Sequence, residues 1–546
     1  MVCSRGNHSL TVVAQFRAAR GFAVAPHRIS WYGRRNGLPH QKANLLRLTY
    51  NIRNMSSAFV DLAGPELIAK YEPVIGLEVH VQLATATKIF CGCPTSFGAQ
   101  PNSNVCPVCL GLPGALPVLN RAAVELAIQA ALALNCRVRP VSRFARKNYF
   151  YPDLPKGYQI SQYEEPLAEH GWVEIPVEGA PKRIGVTRVH MEDDAGKSIH
   201  DGFRDSARYT YVDLNRAGTP LIEIVTEPDL RGSQEAYDFL TGLKQTLEFL
   251  NVSTCDMEKG HLRCDANVSV RLKGAEPFGT KAEVKNLNSF RFLKLALDHE
   301  IARQVAILES GGVIPQETRL FNPDTGETAA MRSKEHAHDY RYFPEPDLAP
   351  LRIADAWLDE IRSRMPELPA RKRARFMERY DLSSYDADVL TASRAIAEYY
   401  ERAAVVAGEP KAAANWVMGD LMGALNAEGK EIADSPVTPE RLGELVALIR
   451  KGEISGKIAK EIFVKMFSSG EAAAAIVERE GLRQISDTGA LEQIVDQVLQ
   501  RNPKQVEQYK GGKATVLGFL VGQVMKASRG QANPGLVNDL LKKKLC

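Results

Sequence analysis

The 546-residue chain lacks any apolar run of about 18 residues, so nothing in it reads as a membrane-spanning helix. It also lacks a strong net charge. The balance of 69 Lys and Arg against 65 Asp and Glu is only +4, so any nucleic-acid contact must come from a local basic patch. Acids are missing from the start: the first is Asp61, while residues 1–54 hold eight Arg and one Lys, Lys42. Such a stretch reads as an organellar transit segment or as an over-extended start ahead of Met55-Ser56-Ser57. The first reading implies the mitochondrial matrix; the second, preferred, implies the cytoplasm of a bacterium. Residues 1–70 are set aside as a leader. A phosphate-binding loop is missing too. Ala195-Gly196-Lys197-Ser198 imitates its end, but Met191 stands where its first glycine belongs. Of nine cysteines, Cys3, Cys136, Cys255, Cys264 and Cys546 are scattered, a pattern that suits a reducing compartment.

What is present is ordinary globular protein, 45% hydrophobic and 25% charged, long enough for two to four domains. It is organised around residues 74–109. Leu77, Val79, Val81 and Leu83 alternate with Glu78, His80 and Gln82, which predicts a strand with one buried face. A carboxylate beside an imidazole on a rigid strand suits a divalent cation or proton transfer; a plain solvated face is the alternative. Next come Cys91-x-Cys93 and, twelve residues on, Cys106-x-x-Cys109. Four thiolates in two close pairs can surround one zinc tetrahedrally, in a closed, structural site. Two disulfides or four unrelated thiols are the alternatives.

Residues 120–135 predict a helix ending at Asn135. Residues 146–166, with Lys147, Tyr149, Tyr151, Lys156 and Tyr158, predict a loop. Its tyrosines either stack on bases and line a substrate passage, or pack on the sheet. Glu192, Asp193 and Asp194 crowd three carboxylates together, which a cation would relieve. Glu223 interrupts an apolar strand within 219–229. Residues 262–272 alternate throughout, setting Arg263, Asp265, Asn267, Ser269 and Arg271 on one face, and Lys281, Glu283 and Lys285 repeat the device. Several strands with apolar backs and charged fronts predict one antiparallel sheet whose open face is a polar active site. In the 333–348 loop, with Arg332 just before it, Lys334, Arg341 and Tyr342 suit phosphates, and His336 and His338 are either metal ligands or idle. Past Pro350 helical patterns take over. Thr438, Pro439 and Gly452 frame one helix as cap, first position and stop. Residues 501–546 hold nine Lys and Arg against Glu507 and Asp539, a net of +7, read as a nucleic-acid contact or a solvated face. Gly511, Gly512 and Lys513 read as a helix start that can seat phosphate.

These stretches together resemble the GatB family, the B-type components of the aspartyl/glutamyl-tRNA amidotransferases. IGLEVHVQL, the cysteine cluster with LGLPGALPVLN, KNYFYPDLPKGYQISQ, RVHMEDDAGKS, VDLNRAGTPLIEIVTEPD, LRCDANVSVR, GTKAEVKNLNSF and DYRYFPEPDL carry the resemblance over 71–348. It implies an α+β fold: an antiparallel-sheet cradle similar to glutamine synthetase over 71–363, an all-α domain over 364–475, and a basic, tRNA-binding helical tail over 476–546. It implies ATP- and magnesium-dependent phosphorylation of the glutamate or aspartate carried by mischarged tRNA(Gln) or tRNA(Asn). Ammonia from a partner amidase (glutaminase), GatA, then displaces phosphate, and a small third partner, GatC, completes the complex. The chain shows no glutaminase nucleophile motif of its own. By position the resemblance implies Glu78, His80, Asp193 and Glu223 at the magnesium site and Cys91, Cys93, Cys106 and Cys109 on structural zinc. Asp193 departs from the Glu often found there. Lys147, Lys281 and Glu283 are expected in catalysis, and Asp265, Lys285 and Arg341 in nucleotide binding. Two other readings are a zinc-stabilised tRNA-binding scaffold and a free-standing ligase for a small acid.

Overall fold

The computed structural model describes residues 63–331, 340–484, 488–528 and 531–545. The leader up to residue 62 and Arg332, Lys334, His336 and His338 lie outside them. The chain divides into two compact units, one reaching Pro366 and one starting at Glu367.

Nine strands of the first unit form one sheet: β1 Tyr71–Gln82, β2 Arg137–Val138, β3 Ala168–Val177, β4 Ala180–Asp193, β5 Pro220–Thr226, β6 Leu262–Leu272, β7 Ala282–Lys285, β8 Thr318–Asn322 and β9 Glu327–Ala330. Their order is 9-8-7-6-1-5-4-3-2. All neighbours run antiparallel except β7 and β8, which are parallel. The expected α+β class and its antiparallel sheet are thus observed. Pairing register sorts the side chains. Val79 stands opposite Ile224 and Cys264, and Ile224 opposite Val189, all buried on one face. A slip of one residue would drive Glu78 and His80 into that core, so the alternation pins the register.

Helices Ser233–Phe249 and Phe290–Glu309 pack together, and the second lies against β6. Leu293, Ala296, Leu297, Ile301 and Val305 form its buried stripe. Gln304 Nε2 donates to the Val268 carbonyl at 3.0 Å. The helix expected over 120–135 runs Arg121–Ala133. Asn120 is its cap, accepting from the Ala122 N–H, and Asn135 turns left-handed beyond its end with φ 54°. It packs against β2, β3 and β4.

The stretch expected as loop over 146–166 is partly strand. Ala145–Asn148 pairs with Tyr158–Ser161 and with Phe343–Pro344 in a small antiparallel sheet. The Pro- and Gly-broken residues between are only its hairpin connection, because Lys147 and Gln159 stand opposite each other in the ladder.

Every helix or strand assigned among the described residues of the second unit is helical. Helix Pro439–Arg450 keeps the expected frame, with Thr438 accepting from the Arg441 N–H and Gly452 at φ +71°. The expected border after residue 475 falls inside helix Ala473–Glu480. The last helices enclose a core of their own, built on Leu491, Val495, Leu520, Val524, Val537 and Leu541. Gly511 and Gly512 do not start a helix. They close helix Pro503–Lys510, Gly512 taking φ +94°, and the next helix begins at Val516. Among the described residues no helix is long and apolar enough to cross a membrane.

Candidate functional site

The face of the sheet opposite the core collects the charges. His80 on β1 stands across from Glu223 on β5, and Glu223 across from His190 on β4. Period-2 pleating puts Glu192 on the same face, two residues after His190. His80 Nε2 lies 3.2 Å from Glu223 Oε2 and 3.7 Å from Glu192 Oε1. His190 Nε2 lies 3.7 Å from an oxygen of each carboxylate. One ligand atom from each of His80, Glu192 and Glu223 falls within 4.8 Å of the other two, a spacing that fits a single cation. Among the described residues the buried Nδ1 of His190 has no hydrogen-bond partner.

The electrostatics are those of a mutually stabilised cluster. Burial opposes charge on His80, but the hydrogen bond and charge of Glu223, then the charge of Glu192, outweigh it and raise its pKa. Burial likewise opposes the Glu223 carboxylate; the charges of His190, His80 and Lys147 win and hold it well below the usual range. Glu192 is lowered too, against its burial, chiefly through His190.

These groups line a cavity of about 500 Å³, shared with Glu78, Lys147, Arg188, Lys281 and Glu283. Glu78 sits off the three-residue cluster and accepts from Asn267 Nδ2 at 3.0 Å. Lys147 Nζ lies 4.9 Å from the Tyr340 ring centre. Glu283 is buried and accepts from Thr318 Oγ1 at 2.9 Å, with Lys285 Nζ 3.2 Å away. Asp265 stands opposite Glu78 and pairs with Lys285, beside the cavity rather than in its lining.

Two expected residues are not brought together with the rest. Asp193 points away from the cluster, because successive strand residues face opposite sides. Its Oδ1 accepts from the Ile160 N–H at 2.7 Å and its Oδ2 is paired with Lys156. Burial first raises its pKa, against Lys156. Glu192, not Asp193, is the acid that joins His80 and Glu223. Arg341 is exposed and outside the cavity lining; its carbonyl accepts from Asn148 Nδ2 at 2.8 Å. Arg188, His190 and Glu192 were missed as residues of the His80 cavity, although extending the period-2 reading back from Glu192 through His190 to Arg188 would have found them.

The four clustered cysteines form a second centre. Cys91 and Cys109 sulfurs lie 3.5 Å apart and Cys106 and Cys109 3.7 Å, with all four within 4.8 Å of one another. Disulfide bonds are excluded by these separations, since a bonded pair sits at about 2.05 Å. They fit one tetrahedral ion, for which bonds of about 2.3 Å give edges near 3.8 Å. Cys109 is held down to about 4 by the Cys91 hydrogen bond first, with Lys88 adding, while burial pushes Cys93 up to about 11.

Fold and cavity define the class first: an α+β enzyme-type domain with a polar pocket on an antiparallel sheet, in a chain that continues as a helical unit. Residues 73–359 match the family model described as the GatB/GatE catalytic domain, and residues 398–545 the one described as GatB domain. The chain belongs to the GatB family. It is 58% identical over 476 residues to the B component of the aspartyl/glutamyl-tRNA(Asn/Gln) amidotransferase of Geotalea daltonii, covering 87% of this chain and 99% of that one. The same component from Geobacter sulfurreducens is 58% identical over 475 residues, with the same shares. That of Persephonella marina is 56% identical over 477 residues, covering 87% of this chain and all of that one.

Proposed function

We propose that this chain is the tRNA-amidating component of an aspartyl/glutamyl-tRNA(Asn/Gln) amidotransferase, a ligase acting in protein synthesis. The reaction carries a glutamate or aspartate, mischarged on tRNA(Gln) or tRNA(Asn), to its amide. A carboxylate is a poor acyl donor, because it has no usable leaving group. Transfer of the ATP γ-phosphoryl group to it gives an acyl phosphate, and ammonia then displaces phosphate. The ammonia is supplied by the amidase partner GatA, with the small partner GatC completing a heterotrimer. Such chemistry needs positioning and charge compensation more than covalent groups from the protein. His80, Glu192 and Glu223 would hold a magnesium ion, with Glu78 beside them, and its charge would offset that of the phosphates. Lys147 and Lys281 line the same cavity and pair with phosphate oxygens. Glu283, tied to Thr318 and Lys285, orients the acceptor side. Asp265 holds Lys285 in place, and the four cysteines would hold a structural zinc. The basic tail contacts the tRNA. The similarity of the sheet domain to glutamine synthetase, which also activates a carboxylate, belongs to this reading, as does a cytoplasmic setting.

The observation that carries the proposal is the meeting of His80, Glu192 and Glu223 from three strands in one lysine-flanked cavity. The test is co-purification with both partners, followed by mischarged tRNA, ATP and glutamine. Phosphate and amidated tRNA are expected in step. Amidation without ATP would refute the proposal. ATP turnover undiminished by Glu223→Ala would favour the scaffold reading instead.

A further inference from the structure

Lys88 lies three residues before Cys91 and its side chain is fully buried. Lysine is almost never fully buried without a partner of opposite charge. Yet among the described residues no carboxylate lies within 4.0 Å of its ammonium; its three donors meet other groups. Lys88 Nζ reaches the Asn104 carbonyl at 2.7 Å, Cys109 Sγ at 3.3 Å and the Leu214 carbonyl at 3.5 Å. The one partner able to carry negative charge is the sulfur, one of the four gathered within 4.8 Å. Four thiolates around a zinc ion leave a net charge of −2, which burial makes costly. One ammonium against one sulfur halves it.

We propose that Lys88 is the built-in counter-ion of the four-cysteine metal site and a determinant of its zinc affinity, acting through Cys109 as a positioning residue. The inference rests on the zinc reading above. Its contact to Leu214 also ties the knuckle to the segment that enters β5, the strand bearing Glu223, so charge balance and attachment meet in one side chain.

The experiment uses the complex with both partners. Zinc in the wild type is measured by atomic emission, about one ion per chain being expected; none at all would refute the zinc reading itself, separately from the role of Lys88. Zinc affinity is then measured by chelator competition for Lys88→Met and Lys88→Gln. Gln keeps a donor for the two carbonyls but no charge. Both are expected to bind zinc roughly 10–100-fold more weakly, the cost typical of losing a group that supports a metal ligand. Zinc-saturated Lys88→Gln should melt near the wild type, whereas Lys88→Met, which leaves both carbonyls without a donor, should melt lower. Wild-type affinity in Lys88→Gln would overturn the proposal and leave Lys88 a tether; so would a lower melting temperature of the saturated form with affinity unchanged. Should Lys88→Met fail to fold, Lys88→Gln alone decides.

Discussion

Glu192→Gln is the substitution that separates the structure's reading of the cavity from the one that sequence position suggests. Glu192 supplies one of three ligand atoms gathered within 4.8 Å, and its side chain is almost wholly buried between His80 and His190. The amide keeps the volume and loses the charge. A cation supplies several kcal/mol of charge stabilisation to a transferring phosphoryl group. If one ligand of three carries about 3–4 kcal/mol of that effect, turnover falls roughly 10²–10³-fold at about 1.36 kcal/mol per decade. Cation affinity, read by titration with manganese, falls with it. The control is Asp193→Asn. It removes the buried partner of Lys156, so its expected loss is stability, about 3–5 kcal/mol as for a broken buried pair. Turnover per folded molecule is retained. The assay is ATP-dependent amidation of mischarged tRNA by the assembled complex, beside a melting curve for each variant. If Asp193→Asn, folded, lost turnover and cation binding while Glu192→Gln kept both, the reasoning from strand register would be refuted.

Three further outcomes are expected. Arg146→Ala leaves Glu345, whose side chain is fully buried, without its contacts at 2.7 and 2.8 Å, so denaturant unfolding should report a loss of about 3–5 kcal/mol. A loss under about 1 kcal/mol would mean the pair behaves as a surface one. Glu72 is held below its ordinary pKa by the Arg271 hydrogen bond first, with Arg231 adding and burial opposing. Its stabilisation is complete above the ordinary carboxylate value and is lost as pH falls through the lowered one. With the side chain 32% exposed, screening keeps it below about 1 kcal/mol. Glu72→Gln should flatten the acid limb of the stability curve; an unaltered limb counts against the assignment. Lys542 and Lys543 are exposed on the last helix, and replacing both by Ala should weaken tRNA binding and cut the salt slope by about 1 per lysine. An unchanged slope would remove the tail from the tRNA interface.

Much of this was legible before any coordinates. Period-2 alternation marked the second half of β1 and the whole of β6, and Thr438, Pro439 and Gly452 framed their helix. The cysteine spacing gathered four sulfurs within 4.8 Å. The capping role of Asn120 and the strands flanking the 149–157 turn were not read, because local propensity fixes an element's type better than its boundary.

What the sequence by itself determined are the properties that depend on neighbours along the chain: which strands have a dry back, which residues cap helices, and that acids, imidazoles and lysines share a charged front. Only the tertiary structure decided which of them meet. Three acids in a row at 192–194 look equivalent in one dimension. Pairing of β4 with β5 turns Glu192 toward His80 and Glu223, and Asp193 toward Lys156. Lys88 carries no signal in the sequence; only the folded knuckle sets the Cys109 sulfur against it. The physical reason is the same in both cases: a hydrogen-bonded register or a packed loop sets directions at the scale of one side chain, and residues far apart in the chain choose that register together.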